Sequence, residues 1–334
     1  MTHKCDKVDV SKMANDFQKA LELLKSAKSI GLISHVRPDG DAYGAMLGLG
    51  LSLKKMKKTV RMFSPDGMNE LYRFLPGAQD IEKSQKDQPA DCDVWVALDT
   101  STKERLGEVF LSWSFEVDMN LDHHVSSTRF GKINIIRPDL PSTASLVQEL
   151  IEAMHMPMDA EIATCLFVGV STDTGSFRYR GTTAEIFRAT ARLIEAGADP
   201  AALAQRCYQS VSLPQFELHR LAMETFTLEC DQRLAHLTLR PEMFQKSSAL
   251  PPDMEGLVEK LQEIATVQAS AVFEFGKDYL KVSLRSKGLI DVNQIATEFG
   301  GGGHPLAAGI RIKNAGEKDR NKILDRLKEA IKKA

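Results

Sequence analysis

Four short segments collect carboxylates and imidazoles where apolar runs end. His35-Val-Arg-Pro-Asp39-Gly-Asp41 follows the apolar run Ser29 to Ser34, Asp99 follows Val94-Trp-Val-Ala-Leu98, and Asp122-His123-His124 follows Phe115 to Leu121. Asp173 stands in Val170-Ser-Thr-Asp173-Thr-Gly175, at the end of a helical pattern. If these ends converge, one pocket holds at least four Asp and two or three His. Negative charge so concentrated cannot be buried unpaired, so cations must compensate it. Mixed carboxylate and imidazole donors without thiolates suit Mn²⁺ or a similar divalent ion, whereas oxygen donors alone favour Mg²⁺ or Ca²⁺. Each segment also has a plainer reading. Pro38-Asp39-Gly40 makes a turn and Asp41 a helix cap, but capping requires neither His35 nor Asp39. Asp99 alone, followed by Thr-Ser-Thr, reads as a cap; the adjacent His123-His124 pair is what favours a shared site.

The elements that must position these residues follow from hydrophobic period. A helix is expected over Ser11 to Ala27, then short strands at Ser29 to Ser34, Thr59 to Phe63, Val94 to Leu98 and Phe115 to Leu121. Helical stretches such as Asp41 to Met56, with Gly40, Gly44, Gly48 and Gly50, separate them, which predicts βα crossovers and an open, mostly parallel sheet. In such a sheet ligands bind beyond the carboxyl ends of the strands, where His35, Asp99 and Asp122 fall. From Thr143 to about Ser212 the pattern turns helical: Thr143 to Met156, Asp159 to Val170 and Thr183 to Ala196. The strands Arg233 to Arg240, Gln268 to Gly276 and Tyr279 to Arg285 open a smaller C-terminal α/β domain, closed by a helix over Lys318 to Lys333. The expected division is therefore 1–196, a strand-free helical connector at 197–231, and 232–334. At 334 residues the chain exceeds what one core usually supports.

A net charge of −2 provides no long-range field for a long duplex nucleic acid and favours a short or small phosphorylated partner. Five scattered cysteines, Cys5, Cys92, Cys165, Cys207 and Cys230, form no Cys-x-x-Cys pair and read as reduced packing residues. No stretch is long and apolar enough to span a bilayer and the first residues do not resemble a signal peptide, so the expected compartment is the cytoplasm, with no membrane partner. A homodimer is left open.

Taken in chain order, His35 to Ala42, Asp99, Asp122-His123-His124, Asp173-Thr-Gly-Ser-Phe and Gly300-Gly-Gly-Gly303-His304 resemble the DHH phosphoesterase family over nearly the whole chain, and within it the nanoRNase/pAp-phosphatase branch. The resemblance implies two divalent metal ions, Mn²⁺ by preference with Mg²⁺ as the alternative. One would be held by His35, Asp39 and Asp99, the other by Asp41, Asp99, His123 and Asp173, with Asp99 bridging. Asp122 would orient the histidines of the triad, and His124 would face the substrate as a proton donor or electrostatic stabiliser. The nucleophile would be a hydroxide shared by the metals. Ala45, where the family often has serine, and Ser126-Ser127, where asparagine commonly follows the triad, depart from the pattern without touching a proposed ligand.

The C-terminal domain would bind substrate. Arg285, Ser286, Gly301, Gly302, Gly303 and His304 form the expected phosphate clamp, with glycine N–H groups exposed and Arg285 anchoring a terminal phosphate. Arg129, Arg178 and Tyr179 are candidate neighbours of the substrate. The expected reactions are hydrolysis of short oligonucleotides to nucleoside 5′-monophosphates and of 3′-phosphoadenosine 5′-phosphate to AMP and phosphate. Cyclic di-AMP or its linear product pApA is the alternative substrate, and a non-catalytic nucleotide sensor the alternative class.

Overall fold

A computed structural model of the protein describes residues 10–86, 92–113, 115–179 and 181–334, so Cys5 lies outside the described residues. Its packing divides it into two units that meet between Ser210 and Val211.

In the first unit, α1 (Val10–Ser26) leads into β1 (Ser29–Ile33), α2 (Gly40–Lys55), β2 (Thr59–Ser64), β3 (Ile81–Lys83), β4 (Val94–Leu98), α3 (Gly107–Ser112), β5 (Met119–Asp122) and β6 (Ile133–Ile136). Four helices follow: α4 (Thr143–Ala153), α5 (Ala160–Asp173), α6 (Ala184–Glu195) and α7 (Pro200–Tyr208). The strands form one parallel sheet in the order β3-β2-β1-β4-β5-β6. After β3 the chain crosses to the other side of β1, so the strand order reverses between β1 and β4, where an open α/β sheet leaves a crevice at the carboxyl ends of its strands.

Both faces of this sheet are covered, as an all-parallel sheet requires. Ile30, Leu32, Val96 and Leu98 face Met46, Leu49, Leu146 and Leu166 of the helical layer, while Ile33, Phe63, Trp95 and Ala97 pack with Phe110 and Trp113. That second cluster explains why β5 begins at Met119 rather than at Phe115. The Phe115 ring lies 4.5 Å from Trp95, so this stretch packs over the sheet instead of pairing in it.

The glycines of α2 decide how α5 docks. A Cβ at Gly40 would lie 2.5 Å from the Thr172 side chain, at Gly44 2.5 Å from the Cys165 carbonyl, and at Gly48 2.5 Å from Leu166. One row at four-residue spacing therefore lets α2 and α5 run antiparallel in backbone contact, which puts the start of α2, with Asp41, beside the end of α5, with Asp173. At Gly44 the obstacles are backbone atoms on the facing helix. Gly44→Ala is accordingly expected to destabilise the protein by about 1–3 kcal/mol. An unchanged thermal midpoint would show that the helices can separate without cost.

The second unit comprises α8 (Leu213–Met223), β7 (Thr227–Glu229), β8 (Leu234–Leu239), α9 (Pro241–Ser247), α10 (Leu257–Gln262), β9 (Ala269–Phe275), β10 (Tyr279–Ser286), α11 (Val292–Glu298), β11 (Gly302–His304), β12 (Ala307–Lys313) and α12 (Glu317–Lys333). Its mixed sheet has the order β11-β12-β10-β9-β8-β7, with α11 and α12 on one face and α8, α9 and α10 on the other.

The segment 197–231, expected to be a strand-free connector, contributes α7 to the first unit and α8 to the second, and it contains β7. Leu203 of α7 is buried in the first core, and Leu218 and Ala222 of α8 in the second. The three-residue strand was missed because Thr227-Leu-Glu229 is too short to show a period.

Candidate metal centre

Three adjacent strands, β1, β4 and β5, deliver His35, Asp99 and Asp122-His123-His124 to the carboxyl edge at the point where the order reverses. Asp99 turns the chain straight out of β4 in the left-handed region, at φ 56°, while its N–H still donates to Leu121 at 2.9 Å. Asp39 caps α2, its Oδ1 accepting from the N–H groups of Asp41 and Ala42 at 3.1 Å each.

Asp41 is buried and anchored by the start of α4. The N–H of Thr143 donates to its Oδ2 at 2.6 Å and that of Ala144 to its Oδ1 at 2.8 Å, so a helix N-terminus supports the carboxylate. The Thr143 hydroxyl donates to Asp99 Oδ1 at 3.0 Å. Sequence reasoning took Thr143 only as the beginning of a helix. The one available signal was the capping pattern Ser142-Thr143, since a helix start can also hold an anion.

The donor atoms form overlapping clusters. His35, Asp39 and Asp99 bring one ligand atom each within 4.8 Å of one another, as do Asp41, His123 and Asp173, and so do Asp99, His123 and His124. His35 Nε2 is 3.3 Å from Asp99 Oδ2. His123 Nε2 is 3.1 Å from Asp173, 3.6 Å from Asp99 Oδ1 and 4.0 Å from Asp41. Asp99 thus directs one oxygen to His35 and the other to His123.

Asp122 is fully buried and directs one oxygen at its neighbours: Oδ1 accepts from the N–H of His123 at 2.9 Å, from that of His124 at 3.2 Å, and from His124 Nδ1 at 2.7 Å. Among the triad rings it therefore orients His124, not both histidines.

Protonation follows this crowding. Burial and the neighbouring charges of Asp99 and Asp173 push Asp41 well above the usual carboxylate range. Burial would also raise Asp99, but the His35, His123 and His124 rings outweigh it and hold that carboxyl below its ordinary value. Burial disfavours a charged His123, yet Asp173, Asp41 and Asp99 outweigh it and raise the ring to about 10. The same carboxylates that favour a proton on His123 would favour a divalent cation at that place.

A raised imidazole stabilises the metal-free fold fully below its unfolded value of 6.5, and that contribution is lost as pH rises through about 10. Metal must displace this proton. Mn²⁺ loading near pH 7.5 is expected to release at least one proton per chain, and its apparent affinity to fall about tenfold per pH unit on acidification. Calorimetric titration in buffers of different ionisation enthalpy measures the release; heats independent of the buffer would contradict it.

The residues expected to clamp phosphate lie on β10 and β11 and are more engaged than the sequence suggests. The Arg285 guanidinium pairs with Glu259, at 3.0 Å from Nε and 2.8 Å from Nη2, and also donates to the Leu284 carbonyl at 3.0 Å. Ser286 is buried, its hydroxyl accepting from the Gly288 N–H at 3.0 Å.

The four-glycine run is not an open cradle. The N–H groups of Gly300 and Gly301 donate to the carbonyls of Thr297 and Ala296, ending α11, while Gly302 and Gly303 pair with Gly309 and Ala308. A Cβ at Gly301 would collide with the Gly309 carbonyl, and one at Gly303 with that of Ala307. Close strand approach accounts for these two glycines. His304 ends β11 and is exposed.

Near Asp173, Arg178 donates to the Gly175 carbonyl at 2.6 Å and the Tyr179 ring covers Gly175, 58% exposed; Arg129 is exposed.

Comparison with known proteins identifies the family. Residues 29–170 match the DHH family, N-terminal domain, and residues 233–333 match the DHHA1 domain. The bifunctional oligoribonuclease and PAP phosphatase NrnA of Thermus thermophilus is 32% identical over 314 residues, spanning 93% of this chain and 92% of that protein. The chain belongs to the DHH family. The protein of the same name from Bacillus subtilis is 25% identical over 87% of this chain and 92% of its own length. An exopolyphosphatase-related protein from Bacteroides fragilis, 27% identical, superposes with a TM-score of 0.88 over 96% of both chains. As a DHH protein the chain is a metal-dependent phosphoesterase with the α/β architecture of that family. No helix among the described residues is long and apolar enough to cross a membrane.

Proposed function

We propose that this DHH enzyme hydrolyses short oligonucleotides to nucleoside 5′-monophosphates and 3′-phosphoadenosine 5′-phosphate to AMP and phosphate, with two divalent ions, Mn²⁺ in first place. The observation that carries the reading is the pair of donor clusters, His35/Asp39/Asp99 and Asp41/His123/Asp173, with Asp99 in reach of both. Relatives named for those two activities match nearly the whole chain. A mixed oxygen and nitrogen donor set fits Mn²⁺, with Mg²⁺ as the second choice. When bound, such ions acidify water and neutralise phosphoryl charge.

The protein groups act around them. Asp122 holds His124 Nδ1, which leaves His124 Nε2 to pass a proton to the departing oxygen. The Thr143 hydroxyl and the start of α4 keep Asp99 and Asp41 in place. Arg285, Gly302, Gly303 and His304 are the proposed phosphate contacts, and Arg285 would exchange Glu259 for the substrate. Free thiols at Cys165, Cys207 and Cys230 suit work in the reducing cytoplasm.

Turnover with Mn²⁺ on a labelled dinucleotide, on 3′-phosphoadenosine 5′-phosphate and on cyclic di-AMP in parallel tests the reading. Hydrolysis of none of them refutes it, and cyclic di-AMP as the sole substrate replaces it. Arg285→Ala is expected to raise KM about 10- to 100-fold while kcat changes little; a fall confined to kcat would remove Arg285 from substrate binding.

A further inference from the structure

Arg105 lies in the 3₁₀ turn Lys103–Leu106 that follows β4, and its carbonyl accepts the Val36 N–H at 2.7 Å, which ties the turn to the His35 loop. The side chain is half-buried, and its Nη2 stands 2.9 Å from His35 Nδ1. Among the described residues no carboxylate lies within ion-pair distance of it, although it borders a cluster of Asp39 and Asp99 with His35.

His35 Nδ1 is also 2.8 Å from the Val36 carbonyl. One ring nitrogen cannot serve both partners. A carbonyl only accepts, so the Val36 bond needs a proton on Nδ1; the guanidinium only donates, so the Arg105 bond needs that nitrogen bare. The tautomer with Nδ1–H directs the Nε2 lone pair toward Asp99, 3.3 Å away, as a metal ligand must. In that state Arg105 faces an N–H and has lost its one side-chain acceptor. A half-buried guanidinium without an acceptor is unfavourable, and a planar fork beside the metal cluster matches two oxygens of a phosphoryl group.

We propose that Arg105 is a substrate-binding residue that leaves His35 when metal is held and takes the oxygens of the phosphate ester undergoing hydrolysis. This deepens the function proposed above, since it presumes a phosphate ester at the His35/Asp39/Asp99 cluster. It also supplies the cation an anionic substrate needs on approaching several carboxylates.

The test compares the wild-type protein with Arg105→Gln and Arg105→Lys, each loaded with Mn²⁺, in two measurements. AMP binding at equilibrium is expected to weaken about 10- to 100-fold in Arg105→Gln and to recover in part in Arg105→Lys, while Mn²⁺ affinity stays within about twofold of wild type. A matching loss of Mn²⁺ affinity would mean that Arg105 acts only through His35, and would overturn the assignment. Equal AMP affinity in all three proteins, or no AMP binding by wild type, would overturn it as well. If AMP binding shows the expected pattern while neither dinucleotide nor 3′-phosphoadenosine 5′-phosphate is turned over, the proposed activity falls and the phosphate contact stands.

Discussion

Asp99→Ala is expected to abolish metal loading and hydrolysis together. Asp99 is buried, faces His35 with one oxygen and His123 with the other, and is the carboxylate common to two of the donor clusters. Its removal takes a donor from both of those clusters, whereas loss of Asp39 or Asp173 would take one from a single cluster. Metals at such sites supply several kcal/mol of transition-state stabilisation, so turnover is expected to fall by about 10³-fold or more. Elemental analysis of the purified protein reads the metal and a labelled dinucleotide reads the turnover. Alanine at φ 56° carries a backbone penalty of about 1–2 kcal/mol that aspartate and asparagine partly escape. Asp99→Asn keeps the turn and the hydroxyl contact from Thr143 while removing the charge, which separates misfolding from loss of ligand. Full activity in either variant would remove Asp99 as the shared ligand.

His124→Ala is expected to show the opposite signature, with metal retained and chemistry lost. The ring has one strong partner, Asp122 at 2.7 Å, and stands 3.6 Å from Asp99. Loss of a positioned proton donor is expected to lower kcat by about 10²- to 10⁴-fold. Asp122→Asn should cost less, about 10- to 100-fold, because asparagine can still accept the His123 and His124 N–H groups that position the ring. A kcat unchanged in His124→Ala, or lost metal, would place His124 among the ligands instead. Substrates with better leaving groups provide a finer check, since they need less help from an acid and should narrow the gap between His124→Ala and wild type.

The parts of this protein visible in its sequence are those that local pattern controls. Val94 to Leu98 reads as a strand because five apolar residues stand together between polar neighbours, and all five are buried. Asp173 was recognisable as a strategic residue from its neighbours, but nothing near it in sequence says that Gly40, Gly44 and Gly48 bring α5 against α2. The glycines were visible; their function as a contact surface depended on the opposite helix. Gly300 to Gly303 illustrates the reverse. A glycine run suggests an open anion cradle, yet close carbonyls of β12 and the end of α11 account for much of it. Arg105 was overlooked because a lone arginine after a strand has no pattern, and only its 2.9 Å approach to His35 marks it.

By itself the sequence determined the inventory: which residue types stand at strand and helix ends, the alternation that makes an open α/β sheet, and a donor set suited to a divalent cation. Those properties depend on side-chain chemistry and on periods of two or 3.6 residues, which act over a few neighbours. The tertiary structure alone decided that β4 lies beside β1, that Asp99 turns one oxygen to His35 and the other to His123, that Asp122 holds His124, and that Arg285 is paired with Glu259. Strand order and helix docking arise from packing between segments tens of residues apart, where sequence proximity carries no information about which side chains meet.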